Sequence, residues 1–137
     1  MAGRALRKFL TARNRALQEL SLLLLRVGLG IGMLYGHAWP KLDQYTLLKL
    51  TFADPLGIGR ELSLQLTLVA EGIASLLLIL GLWTRLAVLP LLFTMGVIIF
   101  RIQWGHGFGK MELPILYMLG YFVLLLQGPG KYSLDEK

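Results

Sequence analysis

Apolar residues fall into four runs, residues 20–39, 62–82, 86–102 and 111–127, each close to the length of a bilayer crossing. A hydrocarbon core about 30 Å thick takes roughly 20 helical residues to cross. Each run therefore predicts one membrane-spanning helix. The link at residues 81–85 is too short for anything but an antiparallel return. Residues 103–110 form a second short link, and residues 40–60 a long one. Pro90 and Pro114 stand near the starts of their runs and read as start signals, because the first N–H groups of a helix have no acceptor.

Ahead of the first run, Leu6, Phe9, Leu10, Leu17 and Leu20 recur at helical spacing among Arg4, Arg7, Lys8, Arg13 and Arg15. This pattern predicts a helix lying in the interface of an anionic leaflet. The expected fold is all-α, an integral membrane four-helix bundle with an N-terminal basic amphipathic interfacial helix. Residues 1–19 form the amphipathic segment and residues 20–137 the four-span domain. With residues 1–19 in the cytoplasm, Arg85, Lys131 and Lys137 lie on that side too, while Lys41, Lys49, Arg60, Arg101 and Lys110 lie outside. The positive-inside rule then places both termini in the cytoplasm. Gly36-His37-Ala38 has the form of a signal-peptide cleavage site, but Arg26 interrupts the apolar region and the segment before it is too long.

Composition agrees with this picture. The 137 residues are 55% hydrophobic and only 16% charged, with a mean hydropathy of +0.63, whereas a soluble domain is about 25% charged. A soluble enzyme is excluded. The absence of cysteine removes thiol nucleophiles, disulfides and every thiol-ligated cofactor. The net charge of +6 is concentrated in the first 15 positions, which favours an anionic lipid surface over nucleic acid as partner.

Ionisable residues inside apolar spans are costly and point to function or to buried pairing. Arg26 lies inside the first span and shares a helical stripe with Gly30, Met33 and His37. Glu71 lies inside the second, at a depth an arginine can reach, so an Arg26–Glu71 ion pair is expected. The other reading has Arg26 snorkelling to headgroups and Glu71 protonated. Gly28, Gly32 and Gly36 form overlapping GxxxG steps, predicting a close seam with the second span at Ala70, Gly72, Ala74 and Ser75. His37, Lys41, Asp43, Arg101, Gln103, Trp104, His106 and Glu112 collect at the outer rim. Such a group can hold a metal, hydrogen-bond a quinone, or simply cap the interface with Trp39 and Trp104 as anchors. Neither histidine spacing is a metal signature.

Several segments carry a family likeness. Leu25-Arg26-Val27-Gly28-Leu29-Gly30 is followed by Tyr35-Gly36-His37-Ala38-Trp39-Pro40-Lys41-Leu42. Glu71-Gly72 precedes Leu78-Ile79-Leu80-Gly81-Leu82-Trp83-Thr84-Arg85, and Gly128-Pro129-Gly130-Lys131-Tyr132-Ser133-Leu134-Asp135 ends the pattern. Over residues 23–135 the chain resembles the DoxX family of small bacterial four-helix membrane proteins, which includes the small membrane subunit of thiosulfate:quinone oxidoreductase. Ala38 stands where the family carries glycine. The resemblance implies a multi-pass bundle in the bacterial inner membrane, beside redox or sulfur-metabolising partners, with quinone as electron acceptor. On that reading Arg26, His37, Glu71 and His106 are the candidate catalytic residues. His37 and His106, flanked by Trp39, Lys41, Arg101 and Trp104, would hold the head group. The competing expectation is a non-catalytic accessory subunit, self-associating or recruiting and stabilising a larger complex through the glycine seam and the basic amphipathic N-terminus, with the buried ion pair only fixing helix register. A small transporter is a third, disfavoured because four spans leave little room for a pore.

Overall fold

A computed structural model describes residues 1–137 as helices and connecting turns, without strands. Helix α1 is Ala2–Thr11. The first span, α2, is Arg15–Asp43, and α3, Tyr45–Thr51, follows it. The remaining spans are α4 (Arg60–Leu80), α5 (Thr84–Ile102) and α6 (Phe108–Gln127). All four spans are long and apolar enough to cross a bilayer. Only 23 of 137 residues are buried, and large apolar side chains face outward on every span. That surface fits lipid, not water.

Local chemistry sets the boundaries. Asn14 starts α2 by accepting the N–H groups of Ala16 and Leu17 at 3.0 and 3.3 Å. Gly81, at φ 70°, ends α4 in the left-handed region that glycine adopts without strain. The reading of residue 39 as the end of the first span is corrected, because α2 continues through Pro40 to Asp43. The Trp39 N–H bonds the Leu34 carbonyl five residues back, and this wide turn, Leu34–Ala38, gives room to the proline ring. Two further wide turns occur, Val69–Ala74 in α4 and Ile98–Ile102 in α5. Pro90 and Pro114 are also corrected as start signals, since both lie inside their helices.

The bundle runs up, down, up and down. Helix α4 packs between α2 and α5, and α6 closes the ring against α5 and α2. Met33, Leu78, Val88, Leu91, Tyr121 and Leu124 are the centre of the core. Past α6 the tail folds back over the end of the bundle that carries both termini, here called the terminal end. Asp135 accepts the Trp83 and Thr84 N–H groups at 2.7 and 2.9 Å, capping α5 from a distance. Its own N–H returns to the Gly81 carbonyl.

Candidate functional site

Two of the wide turns meet in the bundle, Leu34–Ala38 against Val69–Ala74. The second carries Glu71 into the protein interior, where its side chain is 2% exposed. The first redirects α2 so that Lys41 leans across to it. Lys41 Nζ donates to Glu71 Oε2 at 2.7 Å and to the His37 carbonyl at 3.3 Å. An ammonium has three N–H donors, so one remains for a further acceptor. This is the only ion pair in the chain.

The pair lies at the side of a cleft of about 510 Å³. Its walls are α4 and α5, contributing Leu66, Val69, Pro90 and Phe93 among others, and residues 52–58 form its roof. Phe93, Leu66 and Val69 are half exposed or more, so the cleft opens sideways toward lipid. Gln103 joins Lys41 and Glu71 among its polar groups, with Ser63, Thr67 and Thr94. Thr94 is turned back onto its own helix, donating to the Pro90 carbonyl at 2.8 Å.

The roof is held by Asp54, which accepts the Ile58 and Gly59 N–H groups at 2.9 Å each and the Ser63 hydroxyl at 3.0 Å. The Gly59 bond above all keeps the Asp54 carboxyl below its ordinary range, against a smaller opposing effect of desolvation. Helix α3 is pinned beside it by the Tyr45 hydroxyl, which donates to Glu61 and accepts from Gln65, both at 3.0 Å.

The expected Arg26–Glu71 pair is absent. Arg26 is buried at the terminal end, where Nη1 donates to the Leu78 and Ile79 carbonyls at 2.9 and 2.7 Å and Nη2 donates to Tyr132 at 2.7 Å. Main-chain carbonyls thus replace the carboxylate as its partners, and Lys41 takes Glu71. The glycine seam is corrected as well. A Cβ at Gly28 or Gly36 would meet nothing within 4 Å, and one at Gly32 would meet the Tyr117 hydroxyl of α6. It is Gly30, on the Arg26 stripe, that touches α4, where a Cβ would lie 2.5 Å from Ile79 Cγ1.

The other rim residues disperse. His37 is half buried, with its ring edge-to-face on Tyr117 at 5.8 Å, and contributes only its carbonyl to the Lys41 site. Trp39, Arg101, Trp104 and His106 are exposed and lie outside the cleft. Trp104 rests on Phe100 at 5.7 Å between centroids. No group of three His, Asp or Glu side chains converges. The roof residues were not singled out in the sequence, where residues 40–60 stood only as a long link. Asp54 followed by Pro55, Gly57 and Gly59 was the available signal of a structured turn.

No curated protein matches the chain, and no solved structure does. One family model, described as DoxX, matches residues 21–107. The match takes in α2 from residue 21 onward and all of α3 to α5, with Lys41, Glu71 and every wall of the cleft, and stops before α6 and the glycine-proline tail. This chain is a member of the DoxX family, a multi-pass membrane protein.

Proposed function

We propose that this protein is a quinone-linked membrane subunit that seats a quinone head group in the α4–α5 cleft against Lys41 and Glu71. One observation carries the reading, a buried ion pair with an unused N–H donor beside an apolar cleft open to lipid. The cleft volume falls in the range of about 300–1,000 Å³ typical of small-molecule sites. A quinone, when bound, supplies two-electron chemistry coupled to uptake of two protons. Lys41 can donate its third N–H to a ring carbonyl. Glu71 holds that ammonium in place and offers a carboxylate through which a proton can pass. Leu66, Val69 and Phe93 suit an isoprenoid tail and keep water from the pair. The electrons would come from a redox partner protein. A bacterial inner-membrane location with both termini cytoplasmic belongs to the same reading.

The accessory reading has its own support in the open face at Gly28 and Gly36, which suits close approach of another helix. Purification in native nanodiscs, followed by solvent extraction and mass spectrometry, separates the two. Near-stoichiometric quinone, lost in Lys41→Met and kept in Arg101→Gln, is the expected result. A constant protein partner without quinone would replace this reading by the accessory one.

A further inference from the structure

Helix α1 is joined to the bundle by its chain alone. None of its residues is buried. Ala12 is extended, at φ −75° and ψ 134°, and the Asn14 side chain begins α2 afresh, so the axis of α1 is free to leave that of α2. Successive residues of α1 turn by about 100°, which places Ala2, Ala5, Leu6, Phe9 and Leu10 on one arc and Arg4, Arg7, Lys8 and Thr11 on the other. Leu6, Phe9 and Leu10 are 59%, 76% and 70% exposed.

The charge of the whole molecule follows the same division. Nine of the 14 basic side chains and three of the eight acidic ones belong to the terminal end. The other end has five of each, so the entire net charge of +6 lies on one side of the bilayer. No acidic residue occurs before Glu19. An anionic surface is therefore complementary to α1, whereas a second copy would bring only more positive charge.

From this we infer that α1 is an anchor for anionic phospholipid, lying in the plane of the leaflet with Leu6, Phe9 and Leu10 below the headgroups and Arg4, Arg7 and Lys8 paired with phosphates. The apolar arc supplies burial, and the basic arc selects membranes of negative surface potential.

The chain has no cysteine, so a single introduced thiol reports one position. Phe9→Cys, Leu10→Cys and Thr11→Cys, each spin-labelled in the full-length protein, are reconstituted in phosphatidylglycerol-containing and in pure phosphatidylcholine vesicles. In anionic vesicles the labels at positions 9 and 10 are expected to collide with oxygen and be shielded from an aqueous nickel chelate, with position 11 showing the reverse. Pure phosphatidylcholine, or Arg4→Gln, Arg7→Gln and Lys8→Gln together, should lower the docked-to-undocked ratio by roughly two orders of magnitude. Equal aqueous exposure at all three positions would overturn the anchor. Shielding that ignores lipid charge would overturn its anionic selectivity. Spin–spin broadening at position 9 that disappears on dilution with unlabelled protein would assign the face to a second copy instead.

Discussion

Arg26 Nη2 and the carbonyl of Tyr132 meet at 2.7 Å across 106 positions of sequence. The same guanidinium holds the Leu78 and Ile79 carbonyls in the last turn of α4, and the Leu78 carbonyl accepts the Gly81 N–H at 3.1 Å as well. One buried cation therefore joins α2, the end of α4 and the tail. Arg26→Leu is expected to cost at least about 3 kcal/mol, since each hydrogen bond to a charged group contributes about 1.5–3 kcal/mol. Arg26→Lys should recover less than half, because the three donors of an ammonium radiate from one nitrogen and lack the planar fork by which Nη1 and Nη2 reach α4 and the tail at once. Unfolding in mixed micelles measures both. An unchanged midpoint for Arg26→Leu would sink the clasp, as would loss of quinone from protein that remains folded.

The tail also carries a pH dependence. Burial alone would raise the Asp135 carboxyl, but the Thr84 and Trp83 N–H bonds and the charge of Arg26 outweigh it and hold it below its ordinary range. A carboxyl lowered in the folded state contributes stability that is fully present above its unfolded pKa, and this stability is lost as pH falls through the folded value. The tail should therefore become accessible to an acid-tolerant protease below about pH 4, the ordinary aspartate range, while staying protected at neutral pH. Asp135→Asn should remove this pH dependence by leaving the tail loosened throughout. An acid-induced release of the same size in Asp135→Asn would assign the effect to another group.

The four spans were legible because bilayer thickness dictates both length and hydropathy, and the antiparallel return at residues 81–85 because so short a link allows nothing else. The partners of Arg26 were not. Helical rise gives a depth for Arg26 and Glu71, but it does not say that a tail more than 100 positions later brings back a free carbonyl. The Lys41–Glu71 pair was hidden for a related reason. Pro40 reads as the end of a helix, and the wide turn at Leu34–Ala38 that carries α2 through it leaves no mark in hydrophobic periodicity. The cleft joins residues 52–58 to residues 90–103, a non-local meeting that no single segment reveals.

Gly28 and Gly30 are two residues apart and are expected to respond oppositely to alanine. At Gly28 the added Cβ meets nothing, so Gly28→Ala gains the helix propensity of about 0.5–1 kcal/mol. At Gly30 the same Cβ falls 2.5 Å from Ile79 Cγ1 and 3.1 Å from the Ser75 carbonyl, where one neighbour is main chain and cannot yield easily. Overpacking of this kind costs about 1–3 kcal/mol. Thermal unfolding of the two variants side by side is the measurement. A larger loss at Gly28 than at Gly30 would mean that the GxxxG face, not the Arg26 stripe, is the packed one.

The chemistry rests on Lys41 and Glu71, and a double-mutant cycle separates a structural pair from a working one. Lys41→Met strands a carboxylate whose side chain is 2% exposed, which for a buried pair costs about 3–5 kcal/mol. Glu71→Leu strands the ammonium, with a smaller loss because Lys41 is 21% exposed. Lys41→Met with Glu71→Leu removes both charges together, so its stability loss should be smaller than the two single losses added. Quinone binding should behave differently. The double variant restores packing but leaves no N–H donor and no carboxylate in the cleft, so its quinone occupancy should stay as low as that of Lys41→Met. If stability and quinone occupancy recovered together, the pair would be a device for helix register and the cleft would recognise its ligand by shape alone.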